Sequence, residues 1–544
     1  MQRGGQDLQM RELLDTIREL RLTIEGLRKE LNAKEKQMET MQEQLNYFQK
    51  KLFGTSSEKH SLAVEGQLGL FDEVESEAAK ETAPEPDAEE EPAASPRPRR
   101  PRTRKEELLR GIPVTEKIVD LPEAEKICPK CGAELQPAGR KFLRDEIHFV
   151  PAKVTVTRIY AQTYSCPECR REAAKAGSNA QNSLVTAAVP PALIPHSMAT
   201  EQVVAHAMYQ KYANAVPLYR QETDWAQYGL PLSRGRLARW IQICSEDYFL
   251  PVYAYLHRLL LQRKFLMADE TRIQVLKEPQ RAAERDSFLW VFRSGEDGLP
   301  PLLLYGYTET RAGANAQAFL NGFQGYLMTD GYQGYNHLPG VVRTCCWAHV
   351  RRYFHDAIPQ GKQMDYAHPA VQGVIYCDKL FAIEKYCREH AYTAEQRHAY
   401  RLKKAPPVLQ AFWKWLESLQ DADPKSRLGK AYTYAKNRRP YLETYLEDGR
   451  CSLSNNAAEN AIRPFCVGRR NWLFSDSPAG AQASARVYTM VQMAKAHNLN
   501  VERYLTFLLE SRPTMAMSDA ELERLLPWGK QGNRSIIPCP DRFL

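Results

Sequence analysis

The chain has 544 residues, of which 43% are hydrophobic and 10% aromatic, and its formal net charge is +8. This length exceeds what one hydrophobic core supports, so several domains are expected. The polar N-terminus and the lack of an apolar run near the roughly 18 residues of a membrane span argue against a secreted or membrane protein. We therefore expect a cytoplasmic protein whose 12 cysteines stay reduced.

Residues 1–55 carry a heptad repeat that predicts a coiled coil. From Met10 to Leu52 the a and d positions are apolar over about six heptads, with Lys34 as the exception. Such a repeat is buried against another copy of the helix, so we expect self-association through this segment. The alternative is a long helix packed on its own globular body.

Residues 56–105 lose this periodicity and predict a disordered linker. An acidic stretch rich in Ala and Pro is followed by the basic sequence "PRPRRPRTRK" at 96–105. Prolines keep this arm extended, so Arg99, Arg100 and Arg102 could contact a DNA minor groove or its phosphates. A solvated basic tail is an equal alternative.

Residues 106–180 contain two Cys-x-x-Cys pairs, Cys128 with Cys131 and Cys166 with Cys169. Four thiolates form a closed tetrahedral site for structural zinc, with no position left for catalysis. The alternating sequence "IHFVPAKVTVTRIYAQTYSC" between the pairs predicts a β-hairpin that brings them together. We expect a small zinc-binding domain, and the alternative is four core cysteines without a metal.

Residues 181–255 predict helices. Three helical segments run between Ala199 and Phe249, and Ser233 can cap the third. The first two turns of that third helix carry three arginines, Arg234, Arg236 and Arg239. The unit predicts either a helix-turn-helix that contacts DNA with these arginines or a helical spacer, and both interpretations stay open.

Residues 256–510 predict a mixed α/β domain. The patterns follow the order three strands, a helix, a strand, a short helix, a strand and a helix. Asp269 lies in the first strand and Asp330 ends the fourth, so their carboxylates could meet on neighbouring strands. Adjacent strand residues point to opposite faces, so we do not expect Glu270 to join Asp269 as a ligand.

A third acid, Glu459, lies in the basic stretch "LSNNAAENAIRPFCVGRRNWLF" at 453–474. Ser454 or Asn455 can cap a helix there, and we expect that helix to be interrupted near Pro464. A lone carboxylate among arginines would repel phosphate unless a cation lay between them. The stretch therefore predicts a metal-binding face directed at phosphate.

Three carboxylates around two Mg²⁺ (or Mn²⁺) ions, roughly 3.5–4 Å apart, would stabilise the attacking and leaving oxygens of phosphoryl transfer. The expected ligands are Asp269, Asp330 and Glu459. The expected DNA contacts in the same basic stretch are Asn455, Asn456, Arg463, Arg469, Arg470 and Trp472. Trp472 could stack on an unpaired base or fill the core.

Cys346 and His349 have a spacing that suits metal ligands. We expect both to pack at a strand–helix junction. A supporting role for His349 in the active site is the alternative.

Together these segments resemble the insertion sequence 66 family of bacterial transposases. The resemblance is carried by "LFGTSSEK", "LMADET", "MTDGYQGYNHL", "CCWAHVRRYF" and "SNNAAENAIRPFCVGRRNWLF". It extends over nearly the whole chain, including the paired cysteines and the "YLTFLLESRP…LERLLPW" end.

The resemblance implies a ribonuclease-H-like fold with an Asp-Asp-Glu triad, which here falls on Asp269, Asp330 and Glu459. The long stretch before the glutamate implies a helical insertion at about 355–448, and residues 511–544 would form a C-terminal tail. The family often has an arginine directly after the glutamate, where this chain has Asn460.

The implied function is that of a DNA transposase, which cuts element ends with a metal-activated water and attacks target DNA with the freed 3′-hydroxyl. Its partners would be double-stranded end and target DNA, a second copy of the chain and, as a possibility, accessory proteins of the same element. Two alternatives stay open: a ribonuclease-H-like nuclease without strand transfer, and a coiled-coil zinc regulator with an inactive catalytic fold.

Overall fold

The computed structural model describes residues 154–165, 184–362 and 364–529, together with positions 34, 38, 167, 171 and 175. Most of the predicted coiled coil lies outside the described residues. So do the arm residues Arg99, Arg100 and Arg102 and the predicted zinc ligands Cys128, Cys131, Cys166 and Cys169. Expectations about these parts of the chain stay predictions.

A short two-stranded sheet joins β1 (Thr163–Ser165) to β2 (Leu184–Thr186) in antiparallel fashion. The sequence also predicts strand for residues 154–162, which have no regular secondary structure. The apolar side chains of Val156, Ile159 and Tyr160 are exposed. The predicted alternation fails in this segment because no described residue packs against one of its faces to bury it.

In the described part of the chain four helices precede the main sheet, where the sequence predicted three between Ala199 and Phe249. They are α1 (Glu201–Tyr212), α2 (Leu218–Gln227), α3 (Arg234–Cys244) and α4 (Leu250–Leu261), with a π-helical turn at Ser245–Phe249 between the last two. Ser233 caps α3 as expected, because its side chain accepts the N–H of Arg236 at 3.3 Å.

The main sheet is mixed, and its elements follow the predicted order. The strands are β3 (Phe265–Val275), β4 (Asp286–Ser294), β5 (Leu303–Thr308), β6 (Gly325–Thr329) and β7 (Val341–Cys345); α5 (Gly313–Phe319) precedes β6, a 3₁₀ turn (Gln333–Tyr335) follows it, and α6 (Trp347–Asp356) follows β7. The spatial order is β5-β4-β3-β6-β7, with β3 antiparallel to β4 and parallel to β6. The predicted mixed α/β architecture is confirmed.

Three long helices separate α6 from the helix of Glu459. They are α7 (Pro369–Glu389), α8 (Ala394–Glu417) and α9 (Arg427–Leu442). They occupy the part of the chain for which the helical insertion is expected.

The helix of Glu459 is longer than expected. It is α10 (Asn456–Trp472), and it runs through Pro464 without interruption. A proline inside a helix costs roughly 3 kcal/mol. Buried Phe465 and Gly468, on the far side of the proline, pack the continuing turns into the core, and this packing outweighs the local cost.

After α10, β8 (Phe474–Ser475) pairs with the end of β3, and three helices complete the described chain. They are α11 (Pro478–Ala496), α12 (Val501–Ser511) and α13 (Asp519–Glu523). Buried side chains of α1, α3, α4, the sheet, α7–α10 and α11–α13 belong to one hydrophobic core, and the partly buried Leu218 and Trp225 of α2 pack against it. Among the described residues, no helix combines the length and apolarity that a membrane crossing requires.

The register of the sheet separates Asp269 from Glu270. Asp269 is level with Val291 and Tyr305 on neighbouring strands, and Tyr305 packs against α10 and α11. Glu270 is level with Trp290, whose ring contacts the segment after β6 on the other face. The expectation that these two acids face opposite sides of the sheet is confirmed.

Candidate active site

Asp269 and Asp330 meet at one edge of the sheet. The parallel register pairs Met267 of β3 with Met328 of β6, so the residues two positions further along each strand are also level. Neighbouring strands are about 4.8 Å apart. Asp330 follows the last residue of β6, and Asp269 lies where the pairing between the two strands has just ended.

The first turn of α10 is fixed to this edge by Asn455. Its side chain is fully buried, and its Nδ2 donates to the carbonyl of Ala268 at 2.9 Å. Its backbone N–H donates to Sγ of Cys346 at 3.1 Å. These bonds place Glu459, in the first turn of α10, beside the strand that carries Asp269. The predicted DNA contact by Asn455 is wrong for this conformation, because its amide binds the protein's own backbone.

The three acids act on one another electrostatically. Burial, as the largest cause, and the charges of Glu270, Glu459 and Asp330 together raise the pKa of Asp269 to about 8. The backbone N–H of Glu270, which donates to Asp269 Oδ1 at 2.9 Å, lowers it. A cation placed among these carboxylates would remove the repulsion that raises the pKa.

A tighter group lies on the α6 side of the site. The possible ligand atoms of Cys346, His349 and Glu459 are all within 4.8 Å of one another, whereas Asp269 and Asp330 lie outside this group. Cys346 is fully buried, and burial raises the pKa of its thiol to about 12. We therefore interpret Cys346 as a packing residue, as the sequence predicted.

His349 reaches the site, which was the less favoured expectation. Its Nε2 lies 3.6 Å from Oε1 of Glu459. Burial is the largest cause that lowers the pKa of His349, with Arg352 lowering it and Glu459 raising it, so the ring is neutral at neutral pH. A neutral imidazole beside Glu459 can donate one hydrogen bond to a substrate or water.

Two arginines that sequence reasoning missed border the acids. Nη2 of Arg352 lies 3.6 Å from Oε2 of Glu459, and Nη2 of Arg311 lies 3.9 Å from Oδ2 of Asp330. Arg352 is three residues after His349 on α6, so helical spacing could have indicated it. Arg311 follows β5, which is parallel to β3, and so it comes to the same sheet edge as Asp330.

The loop that carries Asp330 is held by two further arginines. Arg343 of β7 is buried, and its Nη2 donates to the carbonyls of Asp330 and Tyr332 at 2.7 and 2.9 Å. Arg438 of α9 donates from Nη2 to the carbonyl of Gly331 at 2.8 Å. A helix of the inserted segment therefore contacts the backbone beside a predicted catalytic acid.

The other predicted DNA contacts differ in their surroundings. Arg234, Arg236 and Arg239 are exposed on α3, Arg470 is exposed on α10, and Asn456 and Arg463 are half-buried there. Nη1 of Arg469 donates to the hydroxyl of Thr271 and to the carbonyl of Arg272 in β3, so part of its guanidinium group binds the protein itself.

Trp472 fills space at the edge of the core. Its ring is half-buried and lies 6.3 Å from Phe465 and 6.2 Å from Tyr488. Of the two roles considered for Trp472, the structure favours packing over stacking on a base.

The site fits a hard divalent cation. Its acids offer carboxylate oxygens, the ligands that Mg²⁺ and Mn²⁺ prefer. Oε1 of Glu459 is buried and accepts no hydrogen bond from the described residues. Buried carboxylate oxygens are normally satisfied, so an unsatisfied one on an acid whose charge acts on Asp269 is suited to a cation.

Three family models match the chain. One described as "Transposase IS66 family" matches residues 196–483, and one described as "zinc-finger binding domain of transposase IS66" matches residues 125–170. A third, "Transposase C of IS166 homeodomain", matches residues 40–116. The first match contains all three acids of the candidate site, and the second contains all four paired cysteines.

Curated proteins of Sinorhizobium fredii (strain NBRC 101917 / NGR234) are similar over most of the chain. "Uncharacterized protein y4qI" is 29% identical over 500 residues, which cover 88% of this chain and 87% of the relative. "Uncharacterized protein y4jD" is 27% identical over 434 residues, covering 77% and 81%.

Proposed function

The chain belongs to the Transposase IS66 family, whose model matches more than half of its length, and we propose that it cleaves DNA at element ends and joins the freed 3′ ends to target DNA. The proposed catalytic acids are Asp269, Asp330 and Glu459. Membership of the family makes the protein a transposase and a DNA-binding enzyme. The two chemical steps and their residues are the proposal.

The strongest support for this proposal is that acids from three separate elements converge on one edge of the sheet. Asn455 connects the helix of Glu459 to the backbone of Ala268, next to Asp269. The charges of Glu459 and Asp330 both raise the pKa of Asp269. Like charges gathered in a half-buried place destabilise the fold, so the arrangement favours a functional reason for it.

Backbone N–H groups hold two of the carboxylates, those of Asp269 and Asp330, in fixed orientations. The N–H of Glu270 binds Oδ1 of Asp269, and the N–H of Tyr332 binds Oδ1 of Asp330 at 2.8 Å. The remaining carboxylate oxygens are available to two Mg²⁺ or Mn²⁺ ions. When bound, such ions activate water and stabilise the attacking and leaving oxygens of an in-line phosphoryl transfer.

The groups around the acids suit a phosphate substrate. Arg352 is exposed beside Glu459, and its positive charge would attract the DNA backbone. His349 is neutral and adjacent to Glu459, so it can donate a hydrogen bond without repelling a cation. Arg470 and the exposed arginines of α3 would extend the contact along DNA.

Two further parts of the proposal concern segments outside the described residues. The zinc-finger family match supports structural zinc, and we assign Cys128, Cys131, Cys166 and Cys169 as its ligands. The heptad repeat from Met10 to Leu52 supports self-association through a coiled coil. Pairing of two copies would bring two active sites to the two ends of one element.

The proposal is tested with labelled end DNA, target DNA and Mg²⁺. We expect Asp269→Asn, Asp330→Asn and Glu459→Gln each to reduce cleavage and joining on the order of 10³-fold or more, since each removes a metal ligand from a site that acts as a unit. The matched control is Asp286→Asn, which removes an exposed acid of the same sheet, paired with Arg272 at 3.1 Å.

Three outcomes separate the candidate functions. Cleavage and joined products from the unmodified protein, both lost in the three variants, support the transposase proposal. Cleavage without any joined product would favour the nuclease. An unmodified protein that binds end DNA but neither cuts nor joins it would favour the regulator.

A further inference from the structure

Arg311 enters the candidate site from the face of the sheet opposite Asp269. It lies in the loop between β5 and α5, and its Nε donates to Oε1 of Glu270 at 2.8 Å. Its Nη2 donates to the same oxygen and lies 3.9 Å from Oδ2 of Asp330. The guanidinium therefore connects the buried Glu270 to Asp330, a proposed catalytic acid at the edge of the sheet.

The guanidinium is held in place on several sides. Glu270 is 1% exposed in its side chain, and its second carboxylate oxygen accepts a hydrogen bond from Tyr335. The ring of Tyr332 lies 3.8 Å from the guanidinium carbon, and the Tyr332 hydroxyl donates to the backbone carbonyl of Arg311. A stacked and ion-paired arginine loses little further freedom when it binds a ligand.

Part of this held group faces outward. The Arg311 side chain is 40% exposed, and its Nη1 donates no hydrogen bond to any described residue. An arginine whose role was only to balance Glu270 could be enclosed with it. Instead its unused donors lie at the edge of the sheet, on the guanidinium that is 3.9 Å from Asp330, one of the acids that would bind the cations.

We propose that Arg311 is a catalytic residue that binds a non-bridging oxygen of the scissile phosphate, with Glu270 and Tyr332 as its positioning residues. This inference rests on the proposed function, since it concerns the phosphate that Asp269, Asp330 and Glu459 act on. Arginine donates in a rigid planar fork that matches phosphate geometry. Charge develops on the phosphoryl oxygens in the transition state, where a held cationic donor stabilises it.

A purely structural role for Arg311 predicts a different result. If Arg311 only neutralises Glu270, then Arg311→Gln leaves a buried carboxylate unpaired and destabilises the protein. The added change Glu270→Gln removes that charge and with it the destabilisation. The double variant Glu270→Gln with Arg311→Gln would then recover both stability and activity. If Arg311 binds phosphate, the double variant recovers thermal stability but not cleavage.

The experiment measures the cleavage of labelled end DNA, the melting temperature and the salt dependence of DNA binding in Ca²⁺. We expect Arg311→Gln and the double variant both to lose on the order of 10²–10³-fold in cleavage rate. Arg311→Lys should recover only part of this loss, because a lysine keeps the charge without the fork. The slope of log K against log salt is negative, and losing one phosphate contact should reduce its magnitude by about 0.9.

The matched control is Arg258→Gln. Arg258 also pairs with an acid, Asp519, and lies 5.2 Å from the ring of Tyr255, on the surface of α4. This variant should cleave like the unmodified protein.

The outcomes decide the inference and the proposed function separately. A double variant that cleaves within a few-fold of the unmodified protein, or an unchanged salt slope in a stable Arg311→Gln protein, would overturn the phosphate contact. An unmodified protein that never cleaves end DNA would overturn the proposed function. In that case the salt slope of Arg311→Gln, measured without catalysis, still decides whether Arg311 binds phosphate.

Discussion

Asp269 is in a costly position for an acid in the metal-free protein. Burial and three neighbouring carboxylates raise its pKa from the ordinary 3.8 to about 8. The folded protein therefore binds a proton that the unfolded chain releases, from about pH 4 to about pH 8. Over this range the contribution of Asp269 to stability falls as the pH rises, because the folded state disfavours the charged form.

We expect Asp269→Asn to stabilise the metal-free protein while it abolishes cleavage. At pH 8 the variant should melt a few degrees above the unmodified protein, because asparagine removes the repulsion at the site. The difference should shrink as the pH falls towards 4 and vanish below it, where the aspartate is protonated in both states.

Melting curves with and without Mg²⁺ or Mn²⁺ check this prediction. Added cation should stabilise the unmodified protein more than the variant, because only the unmodified protein has the full set of ligands. A variant that melts lower than the unmodified protein at pH 8 without metal would contradict it.

Among the elements, the inserted helices are tied to the chain that leads into α10. Arg401 of α8 is fully buried, and its Nε and Nη2 donate to Glu384 of α7 at 2.7 and 2.6 Å. Its two Nη atoms also donate to carbonyls of Tyr445, Asp448 and Cys451. One guanidinium thus joins two helices to the segment that precedes Glu459.

We expect Arg401→Met to destabilise the protein by about 3–5 kcal/mol, because it leaves the Glu384 carboxylate, whose side chain is only 14% exposed, without its partner. Urea unfolding measures this effect. The matched control is Arg439→Met on α9, where the arginine is half exposed and lies 3.6–3.8 Å from two acids. An exposed pair of that kind contributes about 0–1 kcal/mol, so similar losses in both variants would contradict the prediction.

At the scale of the whole molecule, the helices before the sheet are part of the same core as the sheet. Buried residues of α1 and α3 belong to one cluster with those of β3–β5 and α11. The exposed arginines of α3 therefore lie on a surface that is fixed relative to the proposed catalytic acids. This arrangement supports a role for α3 in holding DNA at the site.

We expect replacement of Arg234, Arg236 and Arg239 by Gln to weaken the binding of end DNA. The magnitude of the slope of log K against log salt should fall by about 2–3, roughly 0.9 for each lost phosphate contact. The melting temperature should stay unchanged because all three side chains are exposed. The control replaces three exposed basic residues of α7, Lys379, Lys385 and Arg388. Equal slopes for both triple variants would show that only net charge matters.

The order of the elements could be predicted from the sequence because its signals are local. Apolar runs marked the strands β3–β7, and helical patterns marked α1–α3 and α6. Ser233 caps α3 through a contact three residues along the chain. Asp269, Asp330 and Glu459 were identified as a set because an acid in a basic stretch, and acids in or after apolar strands, are conspicuous without any knowledge of their partners.

Only the tertiary structure decided which other side chains join the acids. Asn455 was interpreted as a DNA contact, but it binds Ala268, 187 residues away, and no local pattern indicates such a pair. The continuation of α10 through Pro464 depends on core packing beyond the proline. Arg311 and His349 reach the site because parallel strands and a following helix bring distant residues to one sheet edge, a consequence of strand order that local periodicity does not contain.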